Sequence, residues 1–171
     1  MFKGFDFEGF WNNGPEPVRI GRGPELTDEM ILAVERELGY KLPESYIWLM
    51  KQHNGGFLEK TDFLLGYELP LIGDRTIMRI LYQITTDDCV CAVNGEYGTK
   101  FLIEDWGYPD IGVAIGEGFF GAHEVFFLDY RACGPQGEPK VSHVDQEYNY
   151  RITVLADNFE EYIRKLVKSD D

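Results

Sequence analysis

Cysteine is scarce and odd in number: Cys89, Cys91 and Cys133 are all there is. That excludes a disulfide framework and leads to the expectation of reduced thiols in a cytoplasmic protein. Cys89-x-Cys91 has no matching second pair, and Cys133 has no nearby histidine, so neither a zinc ribbon nor a cysteine nucleophile is signalled. Long apolar runs are also missing. No stretch approaches the roughly 20 residues that span a bilayer, and MFKGFDFEGFW lacks the basic head and apolar stretch of a secretory leader. Repeats and low-complexity linkers are absent as well. With 171 residues, 44% of them hydrophobic, the chain has enough apolar surface for one core, and a single domain over 1–171 is expected, its core at about 10–167.

The other deficit is positive charge. Sixteen Lys and Arg stand against 30 Asp and Glu, a net of -14. Between Asp87 and Asp129 nine acids face one base, Lys100. Such a surface repels phosphate. It argues against nucleic acid and anionic membrane as partners, and favours a cationic protein or a metal.

One glycine pattern needs a decision. GEGFFG (Gly116–Gly121) matches GxGxxG, which in dinucleotide-binding folds leads from a strand into a helix whose N-terminus holds a pyrophosphate. IGVAIG before it suits the strand. AHEVFFLDY after it is dense in β-branched and aromatic residues and runs into Gly134-Pro135, a poor helix, and Glu117 and Glu124 would face the phosphates with like charge. GEGFFG is therefore read as a loop between two strands, with Phe119 and Phe120 tucked under it or displayed at its tip, and no cofactor is expected.

Elsewhere the elements follow from periodicity and caps. Thr27 caps a helix with Asp28 and Glu29 in its first turn, Ile31, Val34 and Leu38 as its stripe and Gly39 at its end. LPESYIWLMKQHNGG reads as a second helix opened by Pro43 and closed by Asn54-Gly55-Gly56, with His53 as a favourable charge at its negative end. FLLGYEL, TIMRILYQIT, IGVAIG, HEVFFLDY, KVSHVD and YRITVLA read as strands, while TKFLIEDW suits a short helix or a strand. Asp157 with Glu160 resembles a capping box for a closing helix whose apolar face is Phe159, Tyr162, Ile163 and Leu166. The order predicts an α+β fold: a largely antiparallel sheet with two N-terminal helices and one C-terminal helix.

Four blocks then carry a resemblance: Phe10-Trp11, LGYKLPESYIWLMKQHNGG, IGVAIGEGFFGAHEVFFLDY and ITVLADNFEEYIRKL. In this order they resemble the SUKH superfamily, which includes bacterial immunity proteins of polymorphic toxin systems and yeast cell-wall-synthesis regulators of the Smi and Knr type. Arg75 to Thr99 departs most from the pattern. The resemblance implies a SUKH-like α+β fold and a non-catalytic binding role: an immunity protein that occupies a cognate toxin, such as a nuclease with a basic active-site cleft. The alternative is a protein-interaction or regulatory scaffold of the cell-wall-regulator type. Those regulators carry long flanking extensions, whereas this chain is little more than the domain, which leans toward immunity.

Contact residues are sought in this chain itself. EDWGYPD sets Glu104, Asp105 and Asp110 around Trp106 and Tyr108, and with Glu117, Phe119 and Phe120 these form the expected partner-binding surface, unless the aromatics belong to the core. No catalytic or metal-binding residues are assigned. His123-Glu124 lacks the second histidine of HExxH, where Phe127 stands, and nothing in the spacing of His123, Asp129 and His143 demands a metal site, so a metal-dependent hydrolase is the disfavoured class.

Overall fold

The structure, a computed structural model, describes residues 1–12, 14, 21–70, 72–87 and 89–169. Part of the segment read as a loop after Trp11, and Asp88 of the acidic stretch, lie outside the described residues. The elements run α1 (Asp28–Leu38), α2 (Glu44–Gln52), β1 (Gly56–Phe57), β2 (Lys60–Leu69), β3 (Gly73–Ile77), β4 (Ile80–Leu81), α3 (Thr99–Glu104), β5 (Gly112–Gly118), β6 (Gly121–Asp129), β7 (Lys140–Asp145), β8 (Arg151–Ala156), α4 (Phe159–Lys165) and β9 (Leu166–Lys168). This is the expected α+β fold. A six-stranded sheet has the order β1-β4-β5-β6-β7-β8, a three-stranded sheet the order β3-β2-β9, and neighbouring strands are antiparallel. TKFLIEDW, open between helix and strand, supplies α3.

The expected first helix forms with its caps. Thr27 Oγ1 accepts from Met30 N–H, and Gly39 takes the left-handed position at the C-terminus. At the closing helix the cap moves by one residue. Asn158, not Asp157, accepts from Glu161 N–H, because Asn158 is the extended residue directly before the first helical turn. Glu161 reaches back to the Asp157 N–H, and Asp157 itself faces Lys140 at 2.6 Å. Leu166 is buried as expected of the apolar face, yet the helix stops at Lys165 and Leu166 opens β9 against Phe63.

TIMRILYQIT was expected as one strand and is two. Its first half pairs with β2 in the small sheet, its second with β5 and β1 in the large one. Between them Met78 N–H donates to Thr61 O and Arg79 N–H to Glu117 O, so the backbone changes partners without losing hydrogen bonds. An apolar run fit for either sheet gives no signal of the switch.

The LP…Y…NGG motif fastens α2 to the strands beside it. Tyr46, fully buried on α2, donates through its hydroxyl to Tyr82 O. Asn54 donates to Pro24 O and Ile84 O and accepts from Ile84 N–H, three bonds from one buried side chain. Gly55 lies so close to Gln83 that a Cβ would stand 2.7 Å from its backbone nitrogen. His53 corrects its expectation. It is half-buried, its ring stacks on Trp11 with centroids 4.1 Å apart, and burial together with Arg22 lowers its pKa, so the neutral form is favoured rather than a charge at the helix end.

The core runs between the sheets and helices. α4 sets Phe159 edge-on to Tyr46 and Tyr162 against Phe63 and Phe126. Residues 112–116 of β5 and 125–129 of β6 are buried on both strand faces, which explains their near-continuous apolar sequence. Replacing Asn54 by Ala should lower unfolding free energy by about 3 kcal/mol in urea titrations, since the Ile84 N–H and two carbonyls lose partners out of water. Asn158→Ala should cost about 1 kcal/mol, whereas Asp157→Ala should leave the urea midpoint nearly unchanged, the reverse of the ranking the sequence suggests.

Candidate partner-binding surface

β5 and β6 form a hairpin closed by the Gly118–Gly121 pair, with Phe119 and Phe120 at its tip. The left-handed position falls on Gly121 (φ +67°), which spares both phenylalanines a strained backbone. Gly116 has a different reason to be glycine. A Cβ there would stand 2.3 Å from Ile80 O on β4, the strand paired antiparallel beside it. The glycines of GEGFFG thus answer to a turn and a backbone contact, and the chain after them continues as a strand. Phe119 and Phe120 are 61% and 73% exposed and meet edge-to-face at 5.6 Å. Of the two positions open to them, they occupy the tip.

Two grooves flank this tip. One, of about 530 Å³, is lined by Phe57, Tyr97, Phe101 and Trp106 with Arg79, Tyr82 and Glu117 among them. The Arg79 guanidinium lies over both the Phe57 and Phe119 rings, at 5.2 and 5.4 Å. Glu117 Oε2 accepts from the Tyr82 hydroxyl at 2.9 Å. Burial raises the Glu117 pKa, against smaller lowering contributions from that hydrogen bond and from Arg79. Cys91, in the same wall, is pushed up to about 12 by burial, helped by Glu117 and Cys89, and is no thiolate nucleophile. The second groove, of about 590 Å³, opens on the other side, among Phe119, Phe120, His123, Glu124, Asp145, Glu147 and Tyr148.

The eight residues expected to make one surface are distributed. Phe119 and Phe120 hold the tip, and Trp106 and Glu117 line the apolar groove beside it. Glu104 and Asp105 are exposed at the end of α3, next in sequence to Trp106. Glu104 and Asp110 border a third, smaller groove, where Asp110 accepts from Tyr40 at 3.4 Å. Tyr108 does not reach the surface. It is 2% exposed, its hydroxyl donates to Ala122 O, and its ring packs on Tyr150 and Phe127. In EDWGYPD, Trp106 and Tyr108 take opposite surroundings because Tyr108 follows Gly107 (φ +76°) back toward β6. Tyr150 donates to Trp106 O and fixes where the indole sits.

The family model SUKH_6, described as SMI1-KNR4 cell-wall, matches residues 28–163. The chain belongs to the SUKH family. Comparison with curated proteins returns no match. SUKH domains bind partner proteins and are in general non-catalytic. In this SUKH chain the matched span covers α1 through most of α4, and so includes the hairpin and all three grooves.

The histidines and Asp129 of the disfavoured metal reading do not converge. His143 stands opposite Phe126, whereas Asp129 stands opposite Lys140 and is held by Arg131 and Ser142. Among the described residues no three His, Cys, Asp or Glu side chains are placed to hold a metal ion, and no helix is long and apolar enough to cross a membrane. Sequence reasoning missed Phe57, Arg79, Tyr97 and Phe101 as groove walls. They come from three separate segments, Tyr97 and Phe101 sharing one, and only the surplus of aromatics near α3 hinted at them.

Glu117 sets a pH dependence. A carboxyl whose folded pKa is raised contributes stability that is complete below its unfolded pKa, about 4.5, and is lost as pH rises through the folded value. Glu117→Gln keeps an acceptor for Tyr82 and removes that loss. Its urea midpoint should exceed that of the native chain at pH 7, and the two should converge near pH 4.

Proposed function

We propose that this SUKH protein is an immunity protein that neutralises a cognate polymorphic toxin by docking, with the hairpin tip and the acidic surface around it as the contact face. The observation that supports this most is the pair Phe119–Phe120, displayed side by side on a rigid hairpin. Two large rings exposed side by side present apolar area that a partner can bury, and aromatic anchors of this kind dominate binding energy at interfaces. The hairpin's central strands are buried on both faces, so the anchors are presented with little freedom to lose on association.

Charge supplies the approach. With a net of -14, the protein is drawn to a basic cleft such as that of a nuclease, and opposite fields raise association rates to about 10⁸ M⁻¹s⁻¹ or more at low salt. Glu104 and Asp105, exposed at the end of α3, belong to this steering surface, and an interface of about 800 Å² per partner would take in the tip, Trp106 and these carboxylates together. Docking of this kind takes place in the cytoplasm and needs no catalytic group. The SMI1-KNR4 description of the matched family favours one second reading, a regulatory scaffold that binds a host protein instead of a toxin.

Coexpression with a toxin encoded beside this chain tests the proposal. The native chain should restore growth, and no rescue from any neighbouring toxin would favour the scaffold. With purified toxin, Glu104→Lys with Asp105→Lys should slow association about tenfold at low salt and flatten its salt dependence, while Phe119→Ser with Phe120→Ser should chiefly speed dissociation, as stopped-flow and surface plasmon resonance would record.

A further inference from the structure

The groove on the β7 side of the tip has a composition that the docking role alone does not explain. Its rim is aromatic, from Phe119, Phe120 and Tyr148. Its carboxylates come from two stretches of the sequence: Glu124 on β6, and Asp145 at the end of β7 with Glu147 in the turn that follows. The cations facing them are mostly committed. Arg75 is held by Asp62 and Asp74 at 3.0 Å each, and Arg151 stands 3.9 Å from Asp145. Glu124 and Glu147 have only imidazoles opposite: His143 Nε2 at 3.7 Å from Glu124 and His123 Nδ1 at 2.9 Å from Glu147. Among the described residues neither carboxylate has a lysine or arginine within 4 Å.

His143 is an independent sign that this wall is unfinished. It is fully buried, its Nε2 is directed at the Glu124 carboxylate that lines the groove, and neither ring nitrogen has a hydrogen-bond partner. With His143 Nε2 still 3.7 Å away, the Glu124 carboxylate accepts no hydrogen bond from the wall behind it and is left to accept one from the groove.

We propose that this groove receives an arginine side chain of the cationic partner, its guanidinium lying among the rings of Phe119, Phe120 and Tyr148 and hydrogen bonding to Glu124 and Glu147. Arginine fits better than lysine, because a planar guanidinium stacks on aromatic faces while its in-plane N–H groups fork onto carboxylates. The protein already makes one such contact: the Arg151 guanidinium lies 4.8 Å from the Tyr148 ring centroid, next to Asp145. The volume of about 590 Å³ leaves room for a whole arginine side chain and part of the backbone that carries it. The inference rests on the reading of the hairpin face as the partner-binding surface, and names what that surface grips.

The groove can be tested without the partner. Isotope-labelled full-length protein is titrated with Nα-acetyl-arginine amide and, separately, with Nα-acetyl-lysine amide, and followed by NMR. The arginine probe should shift Phe119, Phe120, Glu124, Glu147 and Tyr148 saturably and bind a few-fold more tightly than the lysine probe. Glu124→Gln with Glu147→Gln, both isosteric, should weaken it about tenfold with unchanged thermal unfolding, and Phe119→Ala with Phe120→Ala should weaken it independently. Equal binding by the native chain and the Gln pair, shifts centred instead on Glu104, Asp105 and Asp110, or no saturable shift would each overturn the proposal. Full toxin rescue by the Gln pair would also overturn it while leaving the immunity reading intact. Failure of the native chain to rescue, with the arginine groove behaving as described, would overturn the immunity reading alone.

Discussion

The stretch from Met78 to Ile84 is the element on which the other parts of the fold converge. Its backbone leaves the small sheet at Met78, bonds Glu117 through the Arg79 N–H and Ile115 through the Tyr82 N–H, and receives Tyr46 and Asn54 on the far side. One extended segment thereby fixes α2, the hairpin and both sheets relative to one another. Because every backbone group along it must find a partner away from water, little sideways displacement is tolerated. Gly116 and Gly55 are two of the places where the backbone of this segment comes too near for a side chain.

That anchoring explains why the hairpin can carry exposed aromatics. A free two-stranded hairpin is marginal in water, but here β5 and β6 sit in the middle of six strands, with β4 and β7 on their outer edges. The tip projects from a rigid base, and of the grooves on either side of it only the one holding Glu124 and Asp145 is lined by residues from both sheets. One groove is largely apolar, with a carboxyl that burial inclines toward its neutral form. The other is rimmed by rings, and two of its three carboxylates, Glu124 and Glu147, have no lysine or arginine within 4 Å among the described residues. A single hairpin therefore offers an apolar foothold and an acidic one a few residues apart, a combination suited to a partner whose own surface alternates between the two.

Much of this was legible residue by residue. Caps, glycines and periodicity located α1, α2 and five of the strands, because each is governed by interactions within a few residues of itself. The cap of α4 slipped by one, since Asp157 and Asn158 are both competent and Lys140, distant in sequence, draws Asp157 outward. TIMRILYQIT concealed its switch of sheets because hydrophobic pattern reports burial and not the identity of the neighbouring strand. Within the expected binding surface, local composition placed aromatics beside acids correctly, yet could not separate Trp106 at a groove from Tyr108 in the core. That division depends on where β6 and Tyr150 lie.

By itself the sequence determined the charge, the fold class, the rejection of a dinucleotide turn at GEGFFG and the SUKH resemblance, since all of these follow from composition, local propensity or motif order. Tertiary structure alone decided which carboxylates remain without a strong cation, which tyrosine is buried, and how Phe57, Arg79 and Phe119 come to form one stack. The reason is physical: pairing and burial are properties of contacts between segments far apart in the chain, and such contacts exist only once the two sheets are locked together at Met78 and Arg79.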